Sequence, residues 1–113
     1  MVTSQPLVSI LVPAYNHEDY VATTLNSILG NSYVNKEVVI INDGSTDETP
    51  NIVAEWVKKN CNKIDVIYLS RENLGVVKTL NELISMSNGE YIYCLASDDR
   101  LLDGGIEIMV GYL

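Results

Sequence analysis

The chain has 113 residues, 47% of them hydrophobic, and a net charge of -8 from fifteen acidic and seven basic side chains. That is one domain's length, enough to bury roughly two-thirds of the unfolded surface, which excludes an extended or disordered protein. The charge argues against a broad contact with nucleic-acid phosphates, so no nucleic-acid partner is expected.

Leu7 to Val12 is a nearly continuous apolar, β-branched run stopped by Pro13, the pattern of a strand buried on both faces. Tyr15, Asn16 and His17 break it. From Glu18 to Leu29 the apolar positions Tyr20, Val21, Leu25, Ile28 and Leu29 recur at helical spacing, and Gly30 follows as a stop. Glu37 to Ile41 predicts a second buried strand, Asn42 to Ser45 a turn, and Thr49-Pro50 the N-cap and first position of a helix carrying Ile52, Val53, Trp56 and Val57. Asp65 to Leu69 predicts a third strand. After Asn73-Leu74-Gly75, a helix with Val76, Val77, Leu80, Leu83 and Ile84 runs to near Asn88-Gly89. Tyr91 to Ala96 predicts a fourth buried strand, and beyond Ser97-Asp98-Asp99 a last helix is expected with Asp103 as N-cap and Ile106, Met109, Val110 and Leu113 as its apolar face.

Four βα units in succession predict an α/β fold: a three-layer, Rossmann-like parallel sheet of four strands with helices on both faces. In such sheets ligands bind outside the carboxyl ends of the strands, where the strand order reverses. Every polar cluster of note falls there. Two thiols in no ligand spacing, Cys61 and Cys94, are expected to be free, as in a reducing compartment. No run is long and apolar enough to span a membrane, and Met1 to Pro6 has no signal-peptide pattern, so a cytoplasmic protein is expected.

Asp98 and Asp99 are adjacent carboxylates at a strand end, an arrangement suited either to Mg²⁺ or Mn²⁺ with positions left for phosphate oxygens, or to a solvated turn. Asp43 could accept hydrogen bonds from a ribose or base, while the same segment could simply be a turn with a capping box from Ser45 to Glu48. Pro13 to Asn16 offers an aromatic face for base stacking and a polar contact, or an ordinary strand end. Arg71 and Lys78 are the cations that could meet a diphosphate, or solvated charges; Gly75 allows close backbone approach at a helix start. His17, the one histidine, reads as a polar loop residue.

Taken in order, VSILVPAYN, EVVIINDGSTDET, ENLGVVKTLN and NGEYIYCLASDD resemble the N-terminal part of family 2 glycosyltransferases, over about residues 5 to 113. The resemblance implies the first part of a GT-A fold and a nucleoside diphosphate sugar, most simply a UDP-sugar, as the donor. It implies that Pro13, Ala14 and Tyr15 meet the base, Asp43 contacts uracil or ribose, Asn73 and Gly75 to Lys78 line the base and diphosphate side, and Asp98 holds ribose. Asp98 and Asp99 stand at the DxD-type motif that binds Mg²⁺ or Mn²⁺.

Ala96 and Asn42 stand where many members carry Asp, which shifts the expected metal ligation towards Asp99. Family members continue into an acceptor-binding half that supplies the catalytic base. Residues 1–113 are therefore expected to form a single nucleotide-sugar-binding domain, truncated before that half, which belongs to an inverting enzyme of polysaccharide or glycoconjugate synthesis yet transfers no sugar alone. The family further suggests peripheral association of the full-length protein with the inner face of a membrane. A non-catalytic nucleotide-binding or regulatory domain on the same scaffold is the alternative. A phosphoacceptor domain would need acids after the first strand, where Pro13-Ala14 stands, and no GxGxxG supports a dinucleotide site.

Overall fold

The computed structural model describes residues 5–112. Its order is β1 (Val8–Ala14), α1 (Val21–Leu29), β2 (Lys36–Asp43), α2 (Thr49–Asn60), β3 (Asp65–Arg71), α3 (Val76–Met86), β4 (Tyr91–Cys94) and α4 (Gly105–Tyr112). The four strands pair in parallel in the order β3-β2-β1-β4. The chain steps outward from β1 to β3, then crosses back to place β4 on the other side of β1. Right-handed crossovers in opposite directions put helices on opposite faces.

Strand alternation divides the core accordingly. Val8, Ile10 and Val12 of β1, with Val38 and Ile40 of β2, face a cluster closed by Val21, Leu25, Ile28, Val53, Trp56 and Ile106. Leu11, Val39 and Ile41 face the other way, onto Leu83 of α3. The predicted burial of the first two strands on both faces holds. The fourth does not: β4 is an edge strand, ends at Cys94, and leaves Ile92 and Cys94 exposed while Tyr91 and Tyr93 pack on the larger cluster. Both cysteines are free and exposed.

Three local expectations also change. Thr49 lies inside α2 rather than at its cap, and Glu48 precedes it without a side-chain cap bond. Helix α1 begins at Val21, three residues after Glu18, because the His17 carbonyl already takes the Tyr20 and Val21 amides in a turn. Asp103 is not an N-cap: α4 starts at Gly105, after Gly104 at φ +86°, and the Asp103 carboxylate accepts from the Ser32 amide at 3.0 Å instead. The expected apolar positions Leu113 and the Met109 side chain lie outside the described residues. Among the described residues no helix is long and apolar enough to cross a membrane.

Candidate nucleotide-sugar site

The sheet register brings the ends of three strands side by side, Ala14 opposite Asn42, Asn42 opposite Ser70, and Asp43 opposite Arg71. Asp43 is buried there, 6% exposed. Its Oδ1 accepts from Arg71 Nη1 at 2.6 Å and from the Leu74 amide at 2.8 Å, while its carbonyl accepts from Asn73 Nδ2 at 3.0 Å. Burial works against the charged carboxyl, but the Leu74 amide and the Arg71 guanidinium outweigh it and hold Asp43 below the usual carboxylate range. The result is an anionic acceptor with one oxygen fixed.

Arg71 is the counterpart. Its Nε donates to Glu82 Oε1 at 2.7 Å and its Nη2 to Thr79 Oγ1 at 3.1 Å. Burial favours loss of its proton, yet Glu82 and Asp43 keep it firmly cationic. A guanidinium buried between two carboxylates is not the solvated charge considered from sequence. Lys78 is exposed on the first turns of α3 and joins no ion pair among the described residues.

Gly44, at φ +70°, lets this loop meet the next one. A Cβ there would lie 2.3 Å from the Asn73 backbone nitrogen. Only glycine combines that angle with that approach. Gly75, at φ +93°, turns the chain into α3 in open space. The DGSTDET segment is not a capping box: Ser45 donates to Asn42 Oδ1 at 2.5 Å, and Asp47 Oδ1 accepts from the Thr49 amide at 2.9 Å. Pro13 is half-buried and Ala14 buried, whereas Tyr15, just past the carboxyl end of β1, is 47% exposed. The polar contact expected of Asn16 is made to protein, with its Oδ1 accepting from the Thr46 amide at 2.8 Å.

Asp98 and Asp99 form a second cluster beyond β4. The Thr24 hydroxyl on α1 lies 3.0 Å from the Ser97 carbonyl and 2.5 Å from that of Asp99, and the Leu101 amide donates to Ser27 Oγ at 2.9 Å. Backbone is thus fastened to α1 while both carboxylates stay exposed. They line one cavity of about 310 Å³ with Tyr20, Thr23, Thr24 and Arg100. Asp99 Oδ1 accepts from the Arg100 amide at 2.8 Å, and Asp98 Oδ2 lies 3.7 Å from His17 Nε2.

Among the described residues no three acidic, histidine or cysteine side chains gather in a ready-made metal cage. Two hydrated carboxylates on one open cavity do fit Mg²⁺ or Mn²⁺, hard cations held by one or two carboxylates with substrate phosphates completing the shell. His17 does more than its sequence position suggests. Its Nδ1 lies 2.6 Å from Ser97 Oγ and its amide donates to Thr49 Oγ1, so it ties the start of α2 to the segment after β4. The signal for Thr24 was a hydroxyl between Val21 and Leu25 on the buried face of α1; His17 carried none.

A parallel sheet of this order, with acids ranged along its carboxyl edge, is the class of GT-A glycosyltransferases. Residues 9–113 match the model of Glycosyl transferase family 2, and the chain belongs to that family. A glycosyltransferase of Rickettsia typhi is 36% identical over 111 residues, 98% of this chain and 33% of that protein. The chondroitin synthase of Pasteurella multocida is 38% identical over 103 residues, 91% of this chain and 10% of that protein. The chain thus spans a third or less of these relatives.

Among solved structures, S. aureus TarS 1-349 in complex with UDP-GlcNAc superimposes with a TM-score of 0.80 at 29% identity, covering 93% of this chain and 30% of that one. The mannosyltransferase PcManGT of Pyrobaculum calidifontis, in complex with GDP-Man and Mn²⁺, shares the fold with a TM-score of 0.81 at 24% identity, over 96% of this chain and 31% of that one.

Proposed function

We propose that this chain is the donor-binding part of an inverting glycosyltransferase that takes a nucleoside diphosphate sugar, with UDP as the nucleotide. The observation that carries this reading is Asp43: a buried carboxylate held anionic at the carboxyl end of β2, its Oδ1 fixed by Arg71 and Leu74. Such a group is a pure acceptor, suited to a base N–H or a ribose hydroxyl. The exposed Tyr15 ring stacks on the base, Asn73 and Gly75 shape the adjoining wall, and Lys78 stands free to approach the diphosphate. TarS, similar along nearly the whole of this chain, has been solved with UDP-GlcNAc, which supports the same donor chemistry.

Asp98 and Asp99 are the residues that would hold Mg²⁺ or Mn²⁺, with Asp98 also in reach of the ribose. When bound, the cation supplies neutralisation of the charge on the departing diphosphate. In the transfer the acceptor hydroxyl bonds to the anomeric carbon as its bond to the diphosphate oxygen breaks, and a base takes the hydroxyl proton on the opposite face of the sugar. Asp43, Asp98 and Asp99 each face another task, so we assign that base to none of them.

Calorimetric titration of UDP into the chain, with Mn²⁺ and then with EDTA, tests the reading. Binding tighter in Mn²⁺ is expected. Equal affinity in both overturns the metal assignment, and absence of binding in both overturns the donor site.

A further inference from the structure

Tyr15 stands half in solvent, and the backbone on either side sets the direction in which its side chain leaves the chain. Behind it, Ala14 is locked in the sheet opposite Asn42. Ahead of it, Asn16 sits at φ +51°, the one non-glycine residue in the left-handed region among the described residues. From Asn16 onward, consecutive amides cross to side-chain oxygens of the loop after β2 and of the first residue of α2. Asn16 N–H donates to Ser45 Oγ at 3.0 Å, His17 N–H to Thr49 Oγ1 at 2.9 Å, and Glu18 N–H to Asp47 Oδ2 at 3.1 Å.

Asn16 also returns a bond in the opposite sense. Its Oδ1 accepts from the Thr46 amide at 2.8 Å and lies 3.4 Å from the Thr46 hydroxyl. Ser45, its acceptor, is itself tied to Asn42 Oδ1, beside Asp43. Asn16 is exposed, so it is no part of the core. Asparagine tolerates the left-handed region better than most side chains and offers an acceptor at short reach.

We infer that Asn16 is a positioning residue: it holds the Tyr15 ring at a fixed distance from Asp43, so that the two sides of the base site are aligned before the nucleotide arrives. This rests on the assignment of Tyr15 and Asp43 to the base. A site built in advance binds more tightly because less freedom is lost on binding. The hydroxyls and carboxylate of Ser45, Thr46, Thr49 and Asp47 are the other half of this clamp; in sequence Ser45 reads as the head of a capping box and Thr49 as an N-cap.

The test is a double-mutant cycle on uridine affinity, measured by calorimetry with the whole chain, each variant first checked by thermal melting. Tyr15→Ala should weaken uridine about tenfold, the order expected for a lost stacking contact. Asn16→Gly allows the positive φ without strain and removes the side chain that bonds Thr46; it should weaken uridine several-fold. Asn16→Asp, which keeps the acceptor oxygen, should stay close to wild type. The double variant Tyr15→Ala/Asn16→Gly should be no weaker than Tyr15→Ala alone, because Asn16 acts through the ring.

Wild-type affinity for Asn16→Gly, or the same loss on the Tyr15→Ala background, overturns the proposal and leaves the base site standing. Unchanged affinity for Tyr15→Ala overturns the assignment of Tyr15 and the positioning role with it. Should Asn16→Gly fail to fold, Ser45→Ala breaks the clamp from the other loop and must show the same dependence on Tyr15.

Discussion

The two ends of the crevice are built on opposite terms. At the β2 and β3 end, Asp43 is buried, Arg71 joins it to Glu82, and Gly44 allows backbone contact with Asn73. Beyond β4, Asp98 and Asp99 are exposed, their backbone fastened to Thr24 of α1 and their carboxylates left to solvent. A neutral base with fixed donors and acceptors is best met by a rigid, dry wall, where a hydrogen bond lost to misalignment is costly. A metal diphosphate carries its own charge and water, and is best met by hydrated oxygens that can rearrange. The difference teaches that, on the proposed reading, the base side is fixed by contacts within the chain, whereas the metal side keeps its carboxylates open to a ligand.

The comparison breaks most severely at Gly44. Asn73 backbone cannot retreat far while Asn73 Nδ2 bonds the Asp43 carbonyl, so Gly44→Ala adds both overpacking and a strained positive φ. A loss of about 2–4 kcal/mol of folding stability is expected, read from urea melts. A loss under about 0.5 kcal/mol would mean that the closed end is looser than its contacts imply.

The open end gives a smaller and more selective effect. Asp98→Asn/Asp99→Asn should weaken UDP about tenfold in Mn²⁺, or about 1.4 kcal/mol, and leave uridine within about twofold. Equal losses for UDP and uridine would show that the two ends do not divide the ligand as described.

The smallest effect sharpens the closed end by pH. The folded-state pKa of Asp43 lies below its unfolded value of about 3.9. Its contribution to stability is therefore complete above that unfolded value and is lost as pH falls through the lower folded one. Asp43→Asn should flatten the acid limb of stability below about pH 4, and leave the slope between about pH 6 and 8 unchanged. Superimposable acid limbs for the two proteins would refute an anionic, fixed Asp43.

Much of this was legible in the chain itself. The short, nearly continuous apolar runs LVSILV and EVVII, and the helical spacing of Val21, Leu25 and Ile28, determine a βα series, because a short β-branched run buried on both faces suits a strand and a three-to-four-residue spacing buries one face of a helix. The strand ends then locate Tyr15, Asp43 and Asp98-Asp99 at one edge, and the ordered motifs bring the family with them. Strand four was misread because YIYCLA is apolar enough for a central strand; its edge position depends on what lies beside it, which composition does not encode.

What only the tertiary structure decided were the pairings between distant loops. Arg71, in sequence a diphosphate cation or a solvated charge, is paired with both Asp43 and Glu82; His17, in sequence a polar loop residue, joins Thr49 to Ser97; Ser45, in sequence the head of a capping box, accepts from the Asn16 amide, and Asp47 from that of Glu18. Periodicity reports which way a residue faces because that is set by local backbone geometry. Hydrogen bonds between loops some thirty to eighty residues apart depend on register, crossover and approach distance, which exist only once the sheet has formed.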